Sequence, residues 1–133
     1  MQQRESVRAT SNPYKSWGEE QIARLLDRNG ICFQYEYPLA LVDDGKTRIY
    51  YPDFRLPEYG GMIIEYLGMN GDHAYDQQSR HKVNLYHQAG IEAIMLKRES
   101  LKGDWPSKII GQIEDVLKNR LAQFYNRPSL KQL

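Results

Sequence analysis

The chain has 133 residues, 41% of them hydrophobic and 26% charged, a balance typical of a folded soluble protein. A formal net charge of +1 excludes a strongly basic chain overall, which is the usual mark of a nucleic-acid-binding domain, although acids gathered at one site can offset basic residues elsewhere. The single cysteine, Cys32, excludes an internal disulfide and suits a reducing compartment. No apolar run reaches the roughly 18 residues of a membrane helix, and the first residues lack a signal-peptide core. We therefore expect a cytoplasmic protein without membrane contact.

In chain order, a polar arm at 1–14 precedes a single domain at 15–126, and a tail follows at 127–133. Ser16 and Glu19 form a capping box that opens the first helix, and Asn29-Gly30 ends it. Hydrophobic periodicity and turn residues predict the other elements: strands at 31–37, 48–56, 62–67 and 91–96, and helices at 74–89 and from Trp105 onward. The order α-β-β-β-α-β-α predicts an α/β (α+β) fold with a mixed four-stranded sheet flanked by helices.

Two acids stand out on the second and third predicted strands. If the break at 57–61 is a hairpin loop centred on Tyr59, Asp53 lies opposite Glu65. Directly opposed residues share a face of the sheet, with Cβ atoms about 4.5–5.5 Å apart. Two carboxylates placed in this way repel each other, and a divalent cation between them would remove the repulsion. The alternative is that this face of the sheet is exposed to solvent and both acids are ordinary surface charges.

Two further charged side chains lie on or near the apolar stripes of predicted helices. Lys82 lies on the packed stripe of the helix at 74–89, where it either extends along apolar surface or directs its ammonium group at buried acids. Glu19 lies near the apolar stripe of the first helix, and it either serves only the capping box or also joins the acids. The three acids suit Mg²⁺ or Mn²⁺, which can orient a phosphodiester and activate a water molecule.

At these residues the sequence resembles the PD-(D/E)xK nuclease superfamily, which has a restriction-endonuclease-like fold with an αβββαβ core. Pro52-Asp53 matches the first half of the motif and Glu65 matches the second acid, whereas Leu67 stands where the motif places its lysine. The resemblance is nearest to very-short-patch-repair-like endonucleases and to nuclease domains associated with helicases. In that second branch the helix carries a lysine and a tyrosine four residues apart, as do Lys82 and Tyr86.

The resemblance implies a Mg²⁺-dependent endonuclease that hydrolyses phosphodiester bonds of DNA. Asp53, Glu65 and Glu19 would hold Mg²⁺ or Mn²⁺, and Lys82 would act on the attacking water. Cleavage of both strands would need two sites, which a homodimer would supply. The alternatives are a catalytically inactive nucleic-acid-binding or accessory module, with a helicase or other DNA-processing or defence partner, and a resolvase of branched DNA.

Other residues have supporting roles in this hypothesis. The accessory candidates are Gln78, His73 and Tyr86, although a polar flank, a loop histidine and a core tyrosine are the simpler interpretations. The basic candidates for contacts with backbone phosphates are Arg55, Arg80, Lys97 and Arg98.

Overall fold

A computed structural model of the protein describes residues 13–68 and 73–125, without the side chains of residues 73–76. The chain falls into two compact units, one that runs to Lys102 and one that begins at Gly103. The described residues of the first unit form two α-helices and six strands: α1 (Trp17–Arg28), β1 (Gln34–Tyr35), β2 (Leu39–Asp43), β3 (Lys46–Tyr50), β4 (Phe54–Leu56), β5 (Met62–Leu67), α2 (His73–Gln88) and β6 (Ala93–Lys97). The second unit contains α3 (Trp105–Tyr125), whose buried residues Ile109 and Ile113 lie one turn apart.

The main sheet has four strands in the order β1-β4-β5-β6. β4 runs antiparallel to both β1 and β5, whereas β5 and β6 are parallel and are joined through α2. A parallel pair requires such a crossover, because a tight turn can join only antiparallel strands. The predicted mixed four-stranded α/β architecture is therefore present, with three α-helices in the described parts of the chain.

The core is built around β5, whose six residues are all buried. Alternate residues of a strand point to opposite faces. On one face Ile63 packs with Leu85 and Tyr86 of α2 and with Leu41 of β2. On the other face the ring of Tyr66 lies so close to Gly18 of α1 that a Cβ atom there would be 2.1 Å from the ring. The central strand is thus covered by a helix on each side.

Two predicted strands differ from the structure. The strand predicted at 48–56 is wrong, because it is interrupted at residues 51–53 and forms β3 and β4 in two separate sheets. Pro52 has no N–H to donate to a sheet, and the chain changes partners there. The strand predicted at 31–37 is reduced to Gln34–Tyr35, since Glu36 adopts a left-handed conformation (φ 52°) that ends it.

The sequence prediction missed β2, which pairs with β3 as a separate hairpin. Asp44 and Gly45, with φ values of 53° and 74°, form the turn. An Asp-Gly pair between two apolar stretches is a strong hairpin signal, and residues 39–42 supply the first stretch. The turn was predicted, but the strand before it was not.

Other predictions agree with the structure. The Ser16 hydroxyl accepts a hydrogen bond from the Glu19 amide at the start of α1, and Asn29 caps its end. The hairpin β4–β5 has the predicted register, with Phe54 opposite Ile64. The tail predicted at 127–133 and residues 1–12 of the predicted arm lie outside the described residues, and the single domain at 15–126 stays a prediction.

Candidate functional site

A cleft of about 350 Å³ lies in the first unit, beside the start of α1, the middle of α2 and the ends of β4 and β5 nearest the acids. It contains the three acids and the lysine singled out in the sequence. The side chains and backbone that line it are Lys15, Ser16, Glu19, Tyr51, Asp53, Glu65, Tyr66, Leu67, Gly68, Gln78, Ser79 and Lys82. The fold therefore brings together residues that are up to 67 positions apart, from Lys15 to Lys82.

Asp53, directly before β4, and Glu65, on β5, enter the cleft side by side. The ladder between β4 and β5 ends with Phe54 opposite Ile64, so Asp53 and Glu65 occupy the next position along the two chains. Asp53 is only 6% exposed and Glu65 only 3% exposed. The alternative, that they are surface charges on a solvent-exposed face of the sheet, is therefore wrong.

Asp53 is held by a backbone hydrogen bond, but its surroundings disfavour its negative charge. Its Oδ2 accepts a hydrogen bond of 2.8 Å from the amide of Tyr66. Burial, followed by the charge of Glu65, raises the pKa of Asp53 to about 7. Both effects disfavour the charged carboxylate, and a nearby cation would oppose them.

Glu65 contacts two side chains of α2. The hydroxyl of Tyr86 donates a 2.5 Å hydrogen bond to Oε2 of Glu65, and Nζ of Lys82 lies 4.0 Å from the same oxygen. Burial, followed by the charge of Glu65, raises the pKa of Tyr86, so this hydroxyl keeps its proton and remains a donor. Lys82 directs its ammonium group at a buried acid, as one of the two sequence interpretations proposed, while its side chain stays 39% exposed.

Glu19 joins the acids and forms half of the predicted capping box, since its Oε1 accepts a hydrogen bond from the amide of Lys15 rather than from that of Ser16. Its amide donates to the Ser16 hydroxyl in the helix cap, and its carboxylate is buried (4% exposed) at the cleft. The hydroxyl of Tyr35 donates a 2.5 Å hydrogen bond to Oε1 of Glu19. Burial raises the pKa of Tyr35, and the hydrogen bond to Glu19 adds to this, so Tyr35 is a stable donor in the same way as Tyr86.

The three acids share one arrangement. In each, one carboxylate oxygen accepts a hydrogen bond from a fixed protein donor, namely the Tyr66 amide, the Tyr86 hydroxyl or the Tyr35 hydroxyl. Such hydrogen bonds fix the orientation of a carboxylate and leave its second oxygen for another partner. Among the residues whose side chains the structure describes, no group of three or more His, Cys, Asp or Glu side chains has the geometry of an assembled metal site. Two lysine ammonium groups lie beside the acids instead.

Sequence reasoning missed Lys15, and it gave Tyr35 no role in the site. Nζ of Lys15 lies 3.8 Å from Oδ1 of Asp53 and 3.9 Å from Oε2 of Glu19, and it forms a closer ion pair of 2.7 Å with Glu36. Lys15 stands directly before the capping box, so its position next to Glu19 carried a weak sequence signal. Tyr35 is 16 residues from Glu19, and no local pattern joins them.

The remaining candidates divide by location. Gln78 lines the cleft, whereas Arg80 and Lys97 line a different cavity of about 400 Å³ that shares Leu67 and Ser79 with it. Arg55 donates to Gln34 on the neighbouring strand. Arg98 is exposed at the start of a short 3₁₀ helix, and the side chain of His73 lies outside the described residues. None of the four basic candidates is among the residues that line the described cleft.

The sequence matches no protein-family model and none of the curated proteins with which it was compared. In the described parts of the chain, no helix combines the length and apolar character needed to cross a membrane.

Proposed function

We propose that the cleft is the active site of a metal-dependent DNA endonuclease with a restriction-endonuclease-like fold. One observation carries this proposal: three buried carboxylates, from α1, from β5 and from the residue directly before β4, line one cleft, each oriented by a hydrogen bond to one of its oxygens. Burying three like charges together is costly unless cations or protons compensate them. A function that needs a concentrated negative charge explains why the chain keeps them together.

The donor set suits Mg²⁺ or Mn²⁺, which prefer carboxylate oxygens and water. Asp53 and Glu65 would hold the ion, with Glu19 as a third ligand. When bound, such an ion orients a phosphodiester, stabilises its developing charge and lowers the pKa of a bound water. The Tyr86 and Tyr35 hydroxyls would keep Glu65 and Glu19 in the orientation required, because each already donates to one of their oxygens.

Lys82 would act on the attacking water and neutralise negative charge in the transition state. Its ammonium group already lies at the cleft, 4.0 Å from Glu65. Leu67, at the position where the superfamily motif has lysine, also lines the cleft and is buried. The two positions thus border one cavity, which supports the idea that a lysine from α2 replaces the lysine of the strand.

The choice of DNA as substrate rests on the resemblance of Pro52-Asp53 and Glu65 to the nuclease superfamily. Double-strand cleavage would require a homodimer, and preference for branched DNA would make the protein a resolvase. Among the basic candidates, Arg80 and Lys97 border the neighbouring cavity, and they are the best placed to contact phosphates on either side of the cut.

A second function is favoured by one specific observation. The two ammonium groups of Lys15 and Lys82 already compensate the acids in part. A cleft that carries its own cations also suits an inactive nucleic-acid-binding or accessory module that acts with a helicase or a defence protein. The two functions differ in whether Asp53 is needed for any chemical reaction.

The first experiment measures cleavage of plasmid, linear and branched DNA with Mg²⁺ or Mn²⁺. Glu19→Gln is compared with Glu20→Gln, because Glu20 is the next residue of the same helix and instead forms an exposed pair with Arg24. Metal-dependent cutting by the wild type and by Glu20→Gln, with a loss of at least about tenfold in Glu19→Gln, supports the nuclease. Binding of DNA without cleavage by the wild type would favour the accessory module.

A second experiment moves the lysine. Lys82→Met should reduce cleavage by about 100-fold or more, the range of one electrostatic group at a reaction centre. The double variant Lys82→Met with Leu67→Lys returns an ammonium group to the same cleft and should recover part of the activity. Normal cleavage by a folded Lys82→Met protein would contradict the role given to Lys82.

A further inference from the structure

Lys15 lies where three negative side chains meet. Its Nζ is 2.7 Å from Oε2 of Glu36, 3.8 Å from Oδ1 of Asp53 and 3.9 Å from Oε2 of Glu19. The last two atoms are the carboxylate oxygens that do not accept the Tyr66 and Tyr35 hydrogen bonds. The ammonium group therefore faces the same oxygens that a divalent cation in the cleft would use.

The backbone before α1 holds Lys15 at this place. The amide of Lys15 donates to Oε1 of Glu19 and to the hydroxyl oxygen of Tyr35, at 3.1 and 3.2 Å. The ring of Tyr14 packs edge-on against the ring of Tyr35, with centroids 4.8 Å apart. Because the main chain is fixed on both sides, only the side chain of Lys15 is left to move, and that side chain is 59% exposed.

Glu36 gives this ammonium group a second partner away from the acids of the cleft. Glu36 has a left-handed backbone (φ 52°), a conformation that costs energy for a residue with a side chain. Its amide donates to the carbonyl of Asp53 at 3.1 Å, so the backbone of Glu36 is joined directly to that of Asp53. The carboxylate of Glu36 is 36% exposed, and Glu36 is not among the residues that line the cleft.

We propose that Lys15 is a positioning residue that acts as the internal cation of the cleft and exchanges with a divalent metal ion. Without metal, its ammonium group screens Asp53 and Glu19. When a metal ion binds, Lys15 turns to Glu36 alone, and the exchange sets the metal affinity of the site. This inference rests on the proposed function, since it concerns regulation of the same acids.

The test is a calorimetric titration of the intact chain with Mn²⁺, which needs no substrate and no cleavage. Lys15→Met should bind Mn²⁺ about tenfold more tightly than the wild type, because a competing positive charge within 4 Å of two ligands is removed. Lys15→Arg keeps the charge and should stay close to the wild type. Lys46→Met, at the exposed first residue of β3, controls for the loss of any positive charge.

Glu36→Gln provides the opposite change. With its second partner weakened, Lys15 should remain on Asp53 and Glu19, and the Mn²⁺ affinity should fall several-fold. Loss of a nearby negative charge alone would also lower the affinity, so the double variant Lys15→Met/Glu36→Gln is required. If Glu36 acts through Lys15, its substitution changes the affinity much less in the Lys15→Met background than in the wild type. Equal effects in both backgrounds would overturn the exchange.

Thermal unfolding gives a readout that does not depend on a measurable wild-type affinity. Lys15→Met should have a lower midpoint than the wild type without metal, and Mn²⁺ should raise that midpoint by more than it raises the midpoint of the wild type. Equal Mn²⁺ affinity in the wild type and Lys15→Met, together with loss of binding in Asp53→Asn, would overturn this inference and leave the proposed metal site intact. Absence of Mn²⁺ binding from both the wild type and Lys15→Met would overturn the inference and the metal site together.

Discussion

Asp43 and Asp53 each accept a hydrogen bond and lie near a basic side chain, but their pKa values are shifted in opposite directions. Asp43, at the end of β2, accepts a 2.6 Å hydrogen bond from the Tyr50 hydroxyl and lies 3.0 Å from Nε2 of His81 on α2. The Tyr50 hydrogen bond, followed by that of His81, lowers the pKa of Asp43. At Asp53, burial and the charge of Glu65 raise the pKa, although Tyr66 donates to it and Lys15 is close.

The difference lies in how completely the surroundings compensate each charge. Asp43 is partly exposed, so water and its donors stabilise the carboxylate, and it joins the hairpin to α2. Asp53 is buried beside another carboxylate, and its ion pair with Lys15 is long, at 3.8 Å. Asp43 is therefore arranged to stabilise the fold, whereas Asp53 destabilises it when charged. Strained titratable groups of this kind are concentrated at functional sites.

Substitution of each aspartate by asparagine tests this contrast directly, and the change at Asp53 should have the largest effect on cleavage. Asp53→Asn removes the buried charge, so we expect a higher free energy of unfolding above pH 7. We also expect cleavage to fall by about 10³-fold, which is more than the 10–100-fold loss typical of a residue that only orients a ligand. Asp43→Asn should lower the free energy of unfolding and leave cleavage within about threefold of the wild type. Urea unfolding and cleavage assays measure both. Destabilisation by Asp53→Asn would contradict the strain assigned to the cleft.

The pH dependence of stability should show the same strain. The unfolded chain loses the Asp53 proton near the ordinary value of about 4, and the folded protein loses it at about 7. The free energy of unfolding should therefore fall as pH rises through this window, by several kcal/mol at most, and then level off. The lowered pKa of Asp43 works in the opposite direction, and its contribution is lost only on acidification. Subtracting the profile of Asp53→Asn from that of the wild type isolates the Asp53 contribution, and a flat difference would contradict it.

The two tyrosine donors offer a matched pair. Tyr86→Phe removes the hydrogen bond to Glu65 in the cleft, and Tyr50→Phe removes the one to Asp43. Tyr86→Phe should lower the free energy of unfolding by about 1–3 kcal/mol, as expected for a buried hydrogen bond to a charged group. Tyr50→Phe should lower it by less, because Asp43 is partly exposed and water can replace the lost donor. Only Tyr86→Phe should also reduce cleavage, by about 10–100-fold, because its partner Glu65 lines the cleft and Asp43 does not. Equal activity of the two variants would argue that the orientation of Glu65 is unimportant.

Two glycines give the smallest expected effects. At Gly18, a Cβ atom would lie 2.1 Å from the ring of Tyr66, so Gly18→Ala must shift the start of α1 and with it Glu19. We expect a loss of about 1–3 kcal/mol in the free energy of unfolding and weaker cleavage. At Gly45 nothing lies within 4 Å, but φ is +74°, so Gly45→Ala should cost about 1 kcal/mol without changing cleavage. If Gly18→Ala leaves cleavage unchanged, the position of Glu19 does not limit the reaction.

Local patterns predicted the parts of the cleft that lie on regular elements. The break at 57–61 predicted the hairpin and hence the register that brings Asp53 and Glu65 together. Helical spacing placed Lys82 on the face that reaches Glu65, and the capping box located Glu19. These inferences worked because a strand repeats every two residues and a helix every 3.6, so a few positions determine which side chains are neighbours.

The sequence by itself thus determined the central hairpin, the helix starts and three of the charged groups around Asp53. Tertiary structure alone decided what surrounds them. The division of 48–56 into strands of two sheets depended on which other strands were available for pairing. The contact of Glu19 with Tyr35 joins residues 16 positions apart, and that of Lys15 with Glu36 joins residues 21 positions apart. Periodicity describes neighbours within an element, whereas burial, charge compensation and the pKa of Asp53 depend on which elements pack together. The contrast between Asp43 and Asp53 therefore appears only in the folded chain.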